Sequence, residues 1–594
     1  MSHDVTCSTR TSAAFMVPGT CFSPAAQQGR ASAGDFPRDP VLRNLYLSTA
    51  LADVPRLLGA IDRNPYRPTY GCLDRQYWHY RTSSFPSEMY QEGALPLALA
   101  YAAKLPGNRW QGEPRVRELA VAAIRFAARS SHRDGSCDDY YPFERALGAA
   151  VFSLQAAAAA FQVLQLHDQA LVDWLERRGR WIMCHDESGW LANHQALAAL
   201  GLLRVADITG KQEYRHAAEA RIEKLLAWQN EEGWFEEYGG ADPGYQSVTI
   251  DCLARIRRLS DDPRLDEPLR RAVAFARHFL HPDGSYAGEY GSRGTYHFYP
   301  HGMELLASEN PDAADLADGF LRGLAAGKQA CFGDDRMFAH RTANLIEAYI
   351  DWSDQRPAPL KQSQDESTHY FANARLMVRR AGAAHTVISA ARGGAFKHFT
   401  RSGGPLSDAG LIVETTRGRV AVSQAHDLTR TVEVADGETT PVDGSHDDSA
   451  AAKALTIAGP LHWVRFETAT PLKQAIFHSG MSLVGRWCRT LVRRLLQRRL
   501  ITGRRKCPVR LKRVCEFLPE QEAMGGPTLR VTDTIELTSR WTGVRRMSYG
   551  TDHQTAYVAA SGVYQEGVLE PWTDLRPYVD QLNDQRRVTI VREL

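Results

Sequence analysis

Glu187-Ser-Gly-Trp-Leu-Ala-Asn-His194 leads into a helical stretch at Gln195 to Thr209, and three other segments resemble it. They are Asp134-Gly-Ser-Cys-Asp-Asp-Tyr140, Glu232-Gly-Trp-Phe-Glu-Glu-Tyr238 and Asp283-Gly-Ser-Tyr-Ala-Gly-Glu-Tyr290. Their glycines, at 135, 189, 233 and 284, lie 54, 44 and 51 residues apart. Such intervals suit one pair of antiparallel helices with two loops per repeat, and a recurring loop between helical patterns marks a repeat architecture. Gly333-Asp-Asp-Arg-Met-Phe-Ala-His340 reads as a fifth copy.

Between the loops, Ala146 to Leu166, Gln195 to Thr209, Glu213 to Gln229, Val248 to Leu259 and Leu265 to Leu280 have helical texture. Apolar residues recur there at three- and four-residue steps, as in Ile222, Leu225, Leu226 and Trp228, which gives each helix an apolar stripe to bury. Each loop glycine can take a positive φ after a helix. Stacked hairpins of this kind are expected to close into an (α/α) toroid whose loops gather on one side as a cleft.

After Asp351 the texture changes. Trp352-Ser-Asp-Gln-Arg-Pro-Ala-Pro-Leu-Lys-Gln-Ser is polar and carries prolines, as a linker does. Short runs rich in Val, Ile, Thr and aromatics follow at Ala374 to Arg379, His385 to Ala390, Gly410 to Thr415, Arg419 to Ser423, Leu461 to Glu467, Thr528 to Ser539 and Val588 to Val591. They predict an antiparallel β-sandwich. The expected plan is therefore a flexible segment at 1–35, an (α/α) toroid at 36–351, a linker at 352–366 and a β-sandwich at 367–594 with a basic helical insertion at 481–513.

A chain of 594 residues is too long for one ordinary core, and hydrophobic and charged fractions of 43% and 24% match a globular protein. No run of about 18 apolar residues occurs, so no membrane-spanning helix is expected. The first residues, MSHDVTCSTRTSAAFMVPGTCFSP, lack a basic start and an apolar stretch of secretory length. A cytoplasmic chain, or one peripheral to the inner face of the membrane, is the corresponding expectation. Ten cysteines without a C-x-x-C pair favour reduced thiols.

The net charge of +2 is unevenly spread, since ten Arg and two Lys fall between Arg486 and Arg513 with no acid, leaving +2 − 12 = −10 elsewhere. Within this stretch, Trp487, Leu491, Leu495 and Leu496 can share a helix face flanked by Arg486, Arg489, Arg493 and Arg494. That pattern suits contact with anionic lipid or an acidic polymer, with a solvated insertion as the plain alternative. No nucleic-acid-binding motif accompanies it, and no nucleic acid partner is expected.

The chemistry-bearing residues concentrate in the loops. Asn193 and His194 begin a helix, and Tyr245 follows the Asp242-Pro-Gly turn. The segment from Glu289 to His301 places Tyr290, Tyr296, His297 and Tyr299 around Arg293. Aromatic faces stack on pyranose rings and Arg binds carboxylates, so this loop suits sugar recognition. Tyr90 and Glu92 in an early polar segment, and Tyr141 beside the first repeat, are further candidates for the cleft wall. Capping or packing roles remain open for His194 and Tyr245, and an ordinary ion pair for Arg145.

A toroid, an Asn-His pair opening a toroid helix, a Tyr about 50 residues on and a C-terminal β-sandwich together resemble the heparinase II/III-like polysaccharide lyases. The resemblance covers most of residues 60 to 475. It implies catalytic roles for Asn193, His194 and Tyr245, and for Arg145 as the family's Arg on an inner helix. It also aligns Phe396-Lys397-His398 and Leu406-Ser407-Asp408-Ala409-Gly410 with a zinc-bearing part of the family's sandwich. Leu406 stands where a His ligand is expected and Ser423 where an Asp is, so neither metal nor cofactor is expected.

What the resemblance implies is cleavage of an acidic, uronate-containing polysaccharide by β-elimination. This requires neutralising the C6 carboxylate, abstracting the C5 proton and protonating the leaving oxygen. The loop acids Asp138, Asp139, Glu236, Glu237 and Asp242 keep a toroid glycoside hydrolase open, because paired carboxylates are its machinery. A uronate C5-epimerase shares the proton abstraction, and a non-catalytic glycan-binding protein of exopolysaccharide production is the third reading.

Overall fold

The computed structural model describes residues 40–594, apart from 188, 333–335, 359–365, 401–404, 437–451, 465–467, 498–503, 519–527, 551–562 and 565–571. The segment read as flexible at 1–35 and the centre of the fifth loop copy lie outside the described residues. Everything from Asp39 onward is one compact unit.

Thirteen helices are described up to Ile350: α1 (Pro40–Ala60), α2 (Arg75–Trp78), α3 (Ala94–Ala102), α4 (Pro114–Ser130), α5 (Leu147–Val163), α6 (Gln169–Met183), α7 (Ala192–Thr209), α8 (Gln212–Leu226), α9 (Pro243–Ser260), α10 (Asp266–Arg277), α11 (His301–Leu306), α12 (Pro311–Ala325) and α13 (Phe338–Ile350). α3, α5, α7, α9, α11 and α13 each pack on the next, and α13 returns to α3, which closes an inner ring. α4, α6, α8, α10, α12 and α1 back the six ring helices from outside. The expected (α/α) toroid is therefore present.

Sequence explains which helices lie inside. α5, LGAAVFSLQAAAAAFQV, is buried at every position from Leu147 to Phe161, as a helix that is apolar all round must be. α4, α6, α10 and α12 bury one stripe and leave charged residues outside. Side-chain caps from Glu113, Asp168, Asp242 and Asn310 start α4, α6, α9 and α12, with proline in the first turn of three of them.

The repeated loop has a shared construction. The amides of Gly135, Gly233 and Gly284 each donate to the carbonyl three residues back, at His132, Asn230 and His281. Those same three residues donate their own amides to Ser136, Trp234 and Ser285. The glycines have φ of +89°, +98° and +79°, and a Cβ on any of them would fall within 3 Å of the backbone at Arg178, Arg271 or Gly323 respectively. Each loop thus leans on the outer helix of the following hairpin, which is why glycine recurs.

Among the described residues two large antiparallel sheets follow, besides the short pair Cys331–Phe332 with Val563–Tyr564. The five-stranded sheet is a meander of Ser367–Phe371, Leu376–Ala381, Ala384–Ser389, Ala395–Phe399 and Leu406–Asp408. The nine-stranded sheet is built around the long pair Ala452–Val464 and Lys506–Phe517. Met377, Ile388 and Phe396 of the first pack on Leu455, Ile457, Cys515, Leu529 and Val531 of the second, forming the sandwich core.

The insertion differs from its expected bounds. It consists of α14 (Pro471–Gly480), a π-turn at Met481–Gly485 and α15 (Arg486–Gln497), while Lys506 to Phe517 is a strand. In that strand Cys507, Val509, Leu511, Arg513 and Cys515 are buried at every second position, the periodicity of a sheet rather than a helix. The helical insertion therefore spans 471–497 in place of 481–513.

The sandwich is seated on the toroid's loops. The backbone amides of Asn373 and Ala374 donate to Glu232 at 2.8 and 3.0 Å. Arg392 donates to the carbonyls of Gly291 and Ser292 at 2.9 and 3.0 Å, and Phe371 meets Phe275 with ring centroids 4.9 Å apart.

Candidate active site

Because outer and inner helices are antiparallel, all six inner helices begin at one end of the ring, and the repeat loops precede them there. Asn193 and His194 sit in the first turn of α7. His194 Nδ1 lies 3.0 Å from Glu187 Oε2, and the other oxygen of Glu187 pairs with Arg493 of α15. A carboxylate at Nδ1 fixes the imidazole's tautomer, so that Nδ1 donates and Nε2 presents a lone pair. The ring is partly exposed, whereas the Glu187 side chain is fully buried. Gly148 on α5 gives it room, since a Cβ there would fall 2.7 Å from its ring.

Asn193 donates to Glu237 Oε1 through its amide side chain at 2.6 Å and its backbone at 3.1 Å. One turn into α9, the Tyr245 backbone donates to the capping Asp242 at 3.1 Å, and the other Asp242 oxygen accepts from the Arg293 backbone at 2.8 Å. One carboxylate thus locks the Tyr245 and Arg293 loops together. The Arg293 guanidinium lies 4.4 Å over the Tyr238 ring, next to Glu237 in sequence.

Ring contacts connect the rest. His194 meets Phe152, Phe152 meets His340, His340 meets Tyr299, Tyr299 meets His297 and His297 meets Tyr245, with centroids 4.9 to 6.1 Å apart. Glu92 joins this arc by pairing with His340 Nδ1 at 3.0 Å. Asn193, His194, Tyr245, Arg293, His297, Tyr299 and Glu92 are therefore brought together.

Other sequence candidates sit elsewhere or do other things. Tyr290 is buried, stacks on Phe279 and meets His281 through its hydroxyl at 2.9 Å, so it belongs to the core and not to a sugar-binding wall. Tyr296 is buried beside Glu289 at 3.1 Å and under Lys397, at the seam with the sandwich. Arg145 lies before α5 rather than on it, and its guanidinium pairs with Asp134. Tyr141 packs against Phe477 of α14, with centroids 5.2 Å apart. Tyr90 is half-buried in the short 3-10 turn Glu88–Gly93. In the sandwich, His398 is held by Thr386 and Thr528 at 2.8 and 3.0 Å, and Asp408 pairs with Arg592 at 2.7 Å.

The charges at the ring's mouth are largely offset. Asp139 pairs with Arg336 at 2.5 Å and Glu187 with Arg493, while Asp138 has a hydrogen-bond contact with His132 Nε2 at 3.0 Å. Burial pushes the Glu237 carboxyl up to about 8, and burial together with Asp139 pushes Glu144 up to about 7. Glu237 is consequently neutral at pH 7 and can donate from its second oxygen. Burial takes the Tyr238 phenol to about 12 and His297 down to about 3, so His297 is a neutral ring.

Glu187, His340 and Arg493 were not among the site candidates of the sequence, and Glu237 was one only as a loop acid of the hydrolase alternative. Glu187 and Glu237 stood inside the repeat loops, and a carboxylate seven residues before His194 was a usable signal. Arg493 was noticed only as part of a charge run. The insertion roofs the mouth through Arg493 on Glu187, Phe477 on Tyr141 and His478 on Phe85, the last with ring centroids 6.4 Å apart.

No family model matches this sequence, and no curated protein matches it. Among solved structures the chain is similar to xanthan lyase from Paenibacillus at 11% identity and a TM-score of 0.46. That match covers 87% of this chain but 47% of the lyase, so the chain spans about half that protein's length. It is also similar to chondroitin AC lyase from Streptomyces coelicolor A3 in complex with chondroitin sulphate, at 11% identity, a TM-score of 0.49 and 91% and 71% of the two chains. The unsaturated glucuronyl hydrolase of Bacillus sp. GL1 matches at 15% identity and a TM-score of 0.34, over 44% of this chain and 84% of that one.

Proposed function

We propose that the chain is a polysaccharide lyase, in the manner of the heparinase II/III-like enzymes, acting on a uronate-containing polymer. The observation that carries the reading is the Glu187-His194 pair at the ring's mouth, with an Arg on the far side of the same carboxylate. His194 Nε2 takes the C5 proton, the electron pair forms the C4–C5 double bond, and the C4–O bond breaks. Tyr245 supplies the proton that the leaving oxygen needs. Arg493, the Asn193 amide and the neutral Glu237 acid offer donors to the C6 carboxylate, and charge-assisted bonds of that kind lower the cost of the developing negative charge.

Incubation with a panel of polyuronates, followed by ultraviolet absorbance of the unsaturated product, tests this. Absorbance should rise with the native chain and not with His194→Ala. One observation favours a second reading: Glu237 is a buried acid that keeps its proton near neutrality, as the general acid of a glycoside hydrolase does. New reducing ends without absorbance would select the hydrolase and reject the lyase.

A further inference from the structure

We infer that the outward side of the roofing insertion is a docking surface for an anionic lipid bilayer. Its inward side is committed to the toroid: Phe477 and His478 pack on Tyr141 and Phe85, Met481 and Gly485 are buried, and Arg493 pairs with Glu187. The opposite side carries Leu472, Ile476, Leu483, Trp487, Leu491 and Leu495, each 57 to 70% exposed or, for Trp487, 71%. Leu472 and Ile476 stand one turn apart on α14, and Leu491 and Leu495 one turn apart on α15 beyond the break at Cys488, with Leu483 and Trp487 exposed between them. Large apolar side chains in that number facing water on a chain with ordinary composition mark a contact site.

Charge identifies the occupant. No Asp or Glu occurs between Glu467 and Glu516, and Arg494 is exposed on the same helix. A second copy of this chain would have to bring together two acid-free segments that each expose Lys473 and Arg494. An acidic polysaccharide or nucleic acid would satisfy the cations and leave five aliphatic side chains in water. A bilayer with anionic headgroups satisfies both, because the apolar side chains enter the boundary between headgroups and acyl chains while the cations stay with the phosphates. Trp at that depth places an amphipathic ring where such rings are favoured. The inference is independent of the reaction proposed for the cleft.

Flotation of the full chain with vesicles is the test. The native chain should float with vesicles of phosphatidylcholine and phosphatidylglycerol, less at high salt, and not with phosphatidylcholine alone. Trp487→Glu/Leu491→Glu, at positions already exposed, should lower partitioning by at least about tenfold, and Arg494→Ala by about fivefold. Unchanged thermal unfolding of both variants would show that they fold. Failure of the native chain to float with the anionic vesicles overturns the proposal, as does equal flotation of the double variant. A concentration-dependent self-association lost in the double variant while flotation persists would assign these side chains to a second copy and overturn it too.

Discussion

Two charge clusters in this molecule set buried carboxylates against arginine to different ends. In the sandwich, Arg513 donates to both oxygens of Asp533 at 2.7 and 2.8 Å and to the Gly394 carbonyl at 2.9 Å, and it pairs with Asp408 at 3.1 Å. Arg592 then bridges Asp408 and Asp533 at 2.7 and 3.3 Å. Two cations meet two anions, all four come from strands, and three of the four side chains are essentially sealed. At the toroid mouth, Glu187 is shared between a partly exposed His194 and an Arg from an insertion 306 residues away. The first cluster joins the two sheets. The second leaves the His194 ring partly exposed at the mouth.

If that contrast holds, stability and activity should separate. Arg513→Ala has the largest expected effect, because it leaves two buried carboxylates, Asp408 and Asp533, to share the single cation Arg592. Removing one partner of a buried pair costs about 3 to 5 kcal/mol, a large part of the 5 to 15 kcal/mol that holds a typical domain. Denaturant unfolding should show the loss, and an unchanged midpoint would break the comparison. His194→Ala should instead lower turnover about 10²- to 10⁴-fold with the unfolding midpoint kept. Glu187→Gln, which retains shape but not charge, should lower turnover by about ten- to a hundredfold. Its signature is a lower kcat with KM kept, since an amide can donate as well as accept at Nδ1 and no longer fixes the imidazole's tautomer. A fall in the unfolding midpoint that accounts for the lost activity would make Glu187 a packing residue.

The two regions also differed in how far they could be read in advance. The toroid was legible because its loops repeat a glycine that must approach a neighbouring helix backbone, and Gly135, Gly233 and Gly284 do so in the structure. The starts of α7 and α9 followed from an Asn-His pair and an Asp-Pro turn. The strand Lys506–Phe517 was hidden by its own charge. Cys507, Val509, Leu511 and Cys515 alternate as a strand requires, but Arg513 points inward among them and five cations surround them. Inward arginine only makes sense once Asp408 and Asp533 are known to face it. The same holds for Arg493, whose partner Glu187 no local pattern could supply. Tyr290 misled for the opposite reason: a loop dense in aromatics looks like a sugar platform, yet the side chain nearest the helix end is drawn into the core by His281.

The smallest change expected at neutral pH is also the one that best separates the two enzymatic readings. Glu237 takes both hydrogen bonds from Asn193 on one oxygen, and burial holds its carboxyl near 8. An unfolded glutamate titrates near 4.3. Between those values the folded chain retains a proton that the unfolded chain releases, so Glu237's contribution to stability is full below about pH 4 and falls as pH rises toward 8. Glu237→Gln keeps the acceptor for Asn193 and puts an N–H where the acid's O–H was. For the lyase it should leave turnover at pH 7 within about twofold, raise stability slightly at pH 8 and remove an alkaline fall in rate near that pH. In a hydrolase the same residue must give up its proton to the leaving group, which an amide does not do, and Glu237→Gln would then cost about 10²-fold or more at every pH.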